Sequence, residues 1–151
     1  MGLLAATLLT DAELKRIASA ITDVERGTVG ELRVSVKQRV SAAERNLPVR
    51  ERALREFYAL GMEKTAGKTG VLLFISAADR RFHILGDEGI NAVVPPDFWD
   101  GIAARMAGEF THGRFADGIV DAVVGIGDVL KTRFPKTASD TNELSDDVVI
   151  S

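Results

Sequence analysis

The sequence contains no cysteine and only two histidines among its 151 residues. Without cysteine, the chain can form no disulfide, offers no thiol nucleophile and cannot build a thiolate zinc site. Two histidines cannot complete a metal shell by themselves. Any metal site of this chain would therefore depend on the oxygen atoms of its aspartates and glutamates.

An excess of basic residues is also missing, since 19 Lys and Arg stand against 22 Asp and Glu, giving a formal charge of -3. Proteins that bind nucleic acid without regard to sequence neutralise its phosphates with lysine and arginine. We therefore expect no nucleic-acid partner. An acidic cluster that holds a cation suits this charge balance better.

Long hydrophobic runs are absent as well. The apolar stretch at residues 1–9 lacks a basic n-region and leads directly into a helix cap without a cleavage linker. No other run approaches the roughly 20 apolar residues of a membrane span. The sequence thus predicts a cytoplasmic protein without a membrane span.

The composition, with 46% hydrophobic and 27% charged residues, is typical of one soluble domain, and we expect a monomer. We divide the chain into an N-terminal extension at 1–9, a domain at 10–135 and a mostly disordered acidic tail at 136–151. The tail mixes acidic and β-branched residues. Its alternative role is to add a strand to the exposed sheet edge of a protein partner.

Five consecutive apolar residues, 71–75, predict a central strand that is buried on both faces. The short stretch 77–80 turns the chain back, so Arg81 to Leu85 should pair antiparallel with the central strand. Residues 31–37 alternate between apolar and polar side chains, which predicts a strand with one face in the core. Ser41 to Gly61 is predicted to be helical, with an interruption near Pro48.

The order strand, helix, strand from Glu31 to Ile75 is a crossover unit, so its two strands should be parallel. Further helices are predicted after the Thr10 to Glu13 capping box, from Pro95 onward, and over Phe115 to Phe134. We therefore predict an α/β fold. Its architecture is a three-layer α/β/α sandwich, in which helices flank both faces of a small mixed sheet of a parallel pair and an antiparallel hairpin strand.

This topology gathers three acidic or glycine-rich segments, 28–31, 67–70 and 86–89, at one end of the sheet, which we call the acidic rim. Calcium takes about six to eight oxygen ligands, including carboxylates and the backbone carbonyls of turns. The candidate metal ligands are Glu31, Asp87, Glu88, Asp97 and Asp100. The alternative is that Asp87 and Glu88 cap a short helix while Glu31 pairs with Lys68 or Arg33 on the surface.

The opposite end of the sheet, which we call the basic rim, collects the residues Lys37, Gln38, Arg39, Asp79, Arg80 and Arg81. Ligands of open α/β sheets prefer the carboxyl ends of parallel strands. A phosphate held by arginine and attacked by Asp79 or by an activated water is one hypothesis, and a simple hairpin-turn role for Asp79 is the other. His83 alternates with apolar neighbours and is predicted to be a structural histidine beneath a helix. No glycine-rich nucleotide motif occurs, and we expect no organic cofactor.

Several motifs together carry a resemblance to the TPM domain family, over roughly Leu9 to Pro135. They are Thr28-Val-Gly-Glu-Leu-Arg-Val34, Leu60-Gly-Met62, Thr69-Gly-Val-Leu-Leu-Phe-Ile75, Arg81-Phe-His-Ile-Leu-Gly-Asp-Glu-Gly-Ile90, Phe98-Trp-Asp-Gly-Ile102 and Phe110-Thr-His-Gly-Arg-Phe-Ala-Asp-Gly-Ile119. The family includes thylakoid-lumen acid-phosphatase-like proteins and many bacterial proteins. Within it, the chain is most similar to the stand-alone cytoplasmic type.

The resemblance implies an α/β/α sandwich, calcium binding in some members and weak acid-phosphatase activity in a few. The chain departs from the family pattern at two places. The usual Asp-Asp after the central strand is Ala78-Asp79 here, and the usual Gly-Leu-Glu-Gly loop is Gly86-Asp-Glu-Gly89. From the properties of the family, the expected function is calcium binding with a scaffolding role, and a weak metal-assisted phosphatase is the alternative.

Overall fold

The computed structural model describes residues 3–4, 8–136 and 148–151. The elements in chain order are β1 (Leu3–Leu4), β2 (Leu9–Thr10), α1 (Asp11–Glu25), β3 (Glu31–Lys37), α2 (Val49–Ala59), β4 (Gly70–Ser76), β5 (Arg81–Gly86), α3 (Glu88–Asn91), α4 (Phe98–Thr111), α5 (Phe115–Arg133) and β6 (Val149–Ile150). Two short 3-10 turns, Met62–Lys64 and Ala66–Lys68, lie between α2 and β4.

The described strands form a four-stranded sheet in the order β5, β4, β3, β6, beside a small antiparallel pair of β1 and β2. β3 runs parallel to β4, with Glu31 opposite Gly70 and Lys37 opposite Ser76. β5 runs antiparallel to β4. The predicted crossover pair and hairpin are therefore confirmed, and helices cover both faces of the sheet.

The sheet separates two hydrophobic cores. The larger core lies beneath α1, α4 and α5 and takes Leu32, Val34 and Val36 from β3 and Val71, Leu73 and Ile75 from β4. The smaller core lies beneath α2 and contains Ala53, Phe57, Met62, Leu72 and Phe74. Because β4 contributes to both, every residue from Gly70 to Ser76 is buried, as the apolar run predicts.

The predicted helix over Ser41 to Gly61 is wrong in its first third. Residues 42–46 form turns, and α2 begins only at Val49, with Pro48 as its N-cap. Proline has no backbone N–H, and it disfavours helical geometry at the residue before it. A helix cannot run through Pro48 at low cost, so the chain starts a new one there.

Strand β6 comes from the end of the predicted tail. It pairs parallel with β3, with Ser35 opposite Val149 and Val36 opposite Ile150. Gln38 N donates to Ser151 O at 2.7 Å, and Ser151 N donates to Val36 O at 3.1 Å. The end of the tail thus fills an edge of its own sheet. Residues 137–147 lie outside the described residues, and for them the predicted disorder stays a prediction.

Within the described part of the chain, no helix has the length and apolar character needed to cross a bilayer.

Helices α1 and α5 cross at close contact because residue 127 is a glycine. A Cβ atom added to Gly127 would lie 2.3 Å from Val24 Cγ2 of α1. Valine is restricted at χ1, so it cannot easily rotate away. The close approach of the two helices therefore depends on the missing side chain.

Replacing Gly127 with Ala should lower the free energy of unfolding by about 1 to 3 kcal/mol, because the methyl group overpacks the crossing. Gly108→Ala is the matched control, since a Cβ there meets no atom within 4 Å. It lies inside α4 and should raise stability by about 0.5 to 1 kcal/mol. Urea unfolding measures both, and equal effects of the two substitutions would contradict the packing argument.

Candidate functional site at the acidic rim

The acidic rim is assembled by hydrogen bonds on both sides of the start of β4. Glu31 N donates to Thr69 O at 3.3 Å, and Asp87 N donates to Gly70 O at 2.9 Å. The predicted meeting of segments 28–31, 67–70 and 86–89 at one end of the sheet is therefore confirmed. Residues distant in the chain become neighbours of one strand terminus.

Two glycines of the loop Gly86-Asp-Glu-Gly89 are required by close packing. A Cβ atom on Gly86 would lie 2.6 Å from Trp99 Cζ2, and one on Gly89 would lie 2.1 Å from Gly67 O. Real Cβ atoms do not approach other atoms so closely, so another residue would displace side chains at position 86 and the backbone at position 89. The loop therefore rests directly on the turn that precedes β4.

That turn has a left-handed backbone at Gly67 (φ 75°) and at Lys68 (φ 56°). A lysine in this conformation costs roughly 1 to 2 kcal/mol. Lys68 N donates to Thr65 O at 3.3 Å, and Lys68 Nζ donates to Glu63 O at 2.6 Å. These contacts hold the Met62–Lys64 turn against the rim.

The predicted ligands differ in exposure. Glu31 is 1% exposed at the start of β3. Asp87 is half-buried, and its Oδ1 accepts a hydrogen bond from Glu88 N at 2.8 Å, which is the helix-capping role weighed from the sequence. Glu88, Asp97 and Asp100 are exposed, and their own carboxylates make no hydrogen bond or ion pair with any described residue.

Sequence reasoning missed part of the site. Four buried side-chain oxygens have no hydrogen-bond partner among the described residues, namely Glu63 Oε2, Thr65 Oγ1, Thr69 Oγ1 and Asp87 Oδ2. A buried polar atom without a partner costs about 1 to 3 kcal/mol. The buried Thr65 and the partly buried Glu63 lie in an irregular segment between α2 and β4, where no periodicity of the sequence indicates burial.

The carboxylates of the rim are spread over its segments. Among the described residues, no three histidine or acidic side chains stand close enough together to hold a metal ion. The rim therefore presents separate oxygen atoms on neighbouring segments.

The structure places Asp79 at the opposite end of the sheet, in contact with α2. Asp79 Oδ2 lies 2.8 Å from Arg52 Nη2, and Asp79 Oδ1 accepts from Ser76 Oγ at 2.5 Å. Arg52 is 3% exposed and also donates to Ser76 Oγ at 3.2 Å. Burial raises the pKa of Asp79, but the hydrogen bonds from Ser76 and Arg52 outweigh it, so the pKa lies below its ordinary value. Both oxygens of this carboxylate are thus hydrogen-bonded, one to Arg52 of α2 and the other to Ser76 of β4.

A second polar contact holds α2 one turn further along. Buried Glu56 accepts a hydrogen bond from Ser35 Oγ of β3, and its Oε1 lies 3.5 Å from Lys37 Nζ.

His83 stands opposite Phe74, on the sheet face that α2 covers. Burial, and secondly the charge of Arg50, lower the pKa of His83. Both observations agree with the structural role predicted for this histidine.

Comparison with known proteins adds a family and a fold. The family model described as the TPM domain matches residues 4–129. The structure is similar to the NMR structure of the BA42 protein from the psychrophilic bacterium Bizionia argentinensis, with 36% sequence identity, a TM-score of 0.84 and 95% of each chain covered. No curated protein matches the chain significantly.

Two more distant solved structures share the fold. One is the N-terminal domain of a protein from P. gingivalis, with 20% identity, a TM-score of 0.67, and 85% of this chain and 80% of that chain covered. The other is the N-terminal domain of the cg2496 protein from Corynebacterium glutamicum, with 12% identity, a TM-score of 0.61, and 89% and 81% covered.

The anchoring role of Asp79 predicts a pH dependence of stability. Because its folded-state pKa is lowered, the carboxylate stabilises the fold above the unfolded-state pKa of about 3.9, and this contribution is lost as the pH falls through the lower folded-state value. The stability difference between wild type and Asp79→Asn should therefore be largest above about pH 5 and shrink below about pH 4. Urea unfolding across this range measures it.

Asp97→Asn is the control for this comparison. Asp97 is exposed and has no polar side-chain partner among the described residues, so its replacement shows the effect on stability of exchanging an aspartate alone. A difference between wild type and Asp79→Asn that stayed constant from neutral to acid pH would show that the carboxylate charge does not anchor α2.

Proposed function

The chain belongs to the TPM domain family, and from this premise we propose that it binds a divalent cation, calcium, through oxygen atoms of the acidic rim. Its role is binding or scaffolding, and it acts as a cytoplasmic monomer. The observation that carries the proposal is the set of buried oxygens without partners on Glu63, Thr65, Thr69 and Asp87. A cation is the partner that satisfies several such oxygens at once.

The donor set fits a hard cation. Calcium takes about six to eight oxygens from carboxylates, carbonyls and water. Glu63 and Asp87 would supply carboxylate oxygens, and the hydroxyls of Thr65 and Thr69 would add neutral ones. The bond from Glu88 N to Asp87 Oδ1 fixes the carboxylate while leaving Oδ2 to bind. The exposed Glu88, Asp97 and Asp100 would add negative charge near the site.

Arg33 is the competitor for these carboxylates, because its Nε is also buried without a hydrogen-bond partner among the described residues. A small rearrangement that paired Arg33 with the rim would neutralise it without a cation. Added calcium distinguishes the cation site from a rim neutralised by Arg33. Calcium should bind only if no arginine already neutralises the rim oxygens.

A calcium titration followed by amide NMR should shift the resonances of residues 63–70 and 86–90 together, because the ligands come from both segments. Asp87→Asn and Glu63→Gln should each weaken binding by about tenfold or more, the loss typical of disturbed metal sites. Asp128→Asn removes the same charge from an exposed position of α5 and should leave the affinity unchanged.

Absence of any calcium-dependent shift in those two segments would show that calcium does not bind at the rim. If all three substitutions weakened calcium binding equally, the binding would reflect general electrostatic attraction and not a site at the rim. Either result would overturn the proposed site.

A weak metal-assisted phosphomonoesterase is the second candidate function. The observation that favours it is the position of Asp79 beside Ser76 and Arg52, at the carboxyl end of the parallel strands. The two hydrogen-bonded oxygens make this carboxylate a poor nucleophile in its present state. A phosphatase that used the acidic rim instead would depend on a cation bound there, at the end of the sheet opposite Asp79.

The hydrolysis of p-nitrophenyl phosphate by highly purified protein tests this second function. If the activity belongs to the chain, Asp87→Asn should reduce turnover by about tenfold or more, as loss of the cation requires, and Asp79→Asn should reduce it only if that carboxylate takes part. Turnover that survives both substitutions unchanged would identify a contaminating enzyme.

A further inference from the structure

A half-enclosed cavity of about 280 Å³ lies at the end of the sheet opposite the acidic rim. Its inner lining is apolar and includes Ile75 of β4, Phe82 of β5 and Phe110 and Phe115 near the junction of α4 and α5. Arg80 and Arg81 also line it, and both are exposed, so they lie at its opening. The cavity thus combines an apolar interior with a positively charged mouth.

The apolar wall is held in place by contacts between aromatic rings. The centroids of Phe82 and Phe110 are 5.5 Å apart at an interplanar angle of 80°, and those of Phe110 and Phe115 are 5.2 Å apart at 55°. Edge-to-face and tilted pairs at these distances are favourable. The cavity is therefore formed by side chains that stabilise one another.

The arginines at the mouth have little compensation for their charge. Arg80 makes no ion pair or side-chain hydrogen bond with any described residue. Arg81 Nε lies 4.0 Å from Asp79 Oδ2, but that oxygen is already bonded to Arg52. Arg80 therefore borders the cavity without an acidic partner among the described residues, and Arg81 shares Asp79 with Arg52.

We propose that this cavity binds an amphiphilic carboxylate, an aliphatic acid of medium length, with its chain against the phenylalanine wall and its carboxylate facing Arg80 and Arg81. Small-molecule sites are typically apolar concavities with a few polar groups that orient the ligand. In open α/β sheets they lie at the carboxyl ends of strands, where this cavity opens beside Ser76. The site is separate from the acidic rim and does not depend on a cation there.

Titration with sodium octanoate below its micelle concentration, followed by amide NMR, tests the proposal. The amides of Ile75, Phe82, Phe110 and Thr111 should shift and saturate. Octanoate should bind more tightly than octan-1-ol, and octylammonium should bind most weakly, because only the head group differs among the three. Inorganic phosphate alone should not shift these amides.

Two kinds of variant separate the charged and apolar halves of the site. The double variant Arg80→Asn, Arg81→Ala should weaken octanoate binding by about fivefold and leave octan-1-ol binding unchanged, as expected for exposed ion pairs. Asparagine is chosen because Arg80 has φ 56°, a conformation that asparagine tolerates. Ala107→Leu places a larger side chain in the lining and should abolish binding of both ligands.

Arg133→Asn removes an exposed charge at the end of α5, away from the cavity lining, and is the matched control. The proposal fails if octanoate shifts none of the lining amides, if octylammonium binds as tightly as octanoate, or if Ala107→Leu binds octanoate like wild type. It also fails if phosphate alone reproduces the shifts, since the apolar half would then contribute nothing.

Discussion

The parallel ladder between β3 and β4 runs from Glu31 opposite Gly70 to Lys37 opposite Ser76, and both candidate sites depend on it. Because the strands run in the same direction, the segments that precede them meet at one end and those that follow them meet at the other. Buried oxygens gather at the first end and arginines at the second. A register shift of one residue would turn every side chain of β3 to the wrong face.

Helix α2 is held on this sheet differently from the helices of the opposite face. Beneath it lies a small apolar core, and its inner surface also carries Arg52 and Glu56, both buried. Arg52 is bonded to Asp79, and Glu56 to Ser35. Buried ion pairs add little net stability, but they favour one arrangement because removal of either partner is costly. The polar anchors thus fix α2 over the sheet and, with it, the turn that leads to the acidic rim.

Local sequence patterns predicted most of the fold. The apolar run before Ser76 and the capping box at Thr10, where Glu13 N donates to Thr10 Oγ1 at 3.1 Å, depend only on neighbours in the chain. The composition of the tail indicates a strand-forming role toward a partner, but its pairing with β3 of the same chain could not be predicted, because two residues carry no periodicity. The same holds for Glu63 in the site, whose burial depends on how the turns before β4 fold back. Asp87 was identified because topology alone brings it to the rim.

The claim that the acidic rim binds a divalent cation is tested most directly by a crystal structure from crystals grown in manganese chloride. Manganese takes the same carboxylate and carbonyl ligands as calcium, and its anomalous scattering locates it. The account predicts an anomalous peak at the acidic rim, bound by carboxylate oxygens of Asp87 and Glu63. A map without a peak there, or with Arg33 occupying the same place, would contradict it.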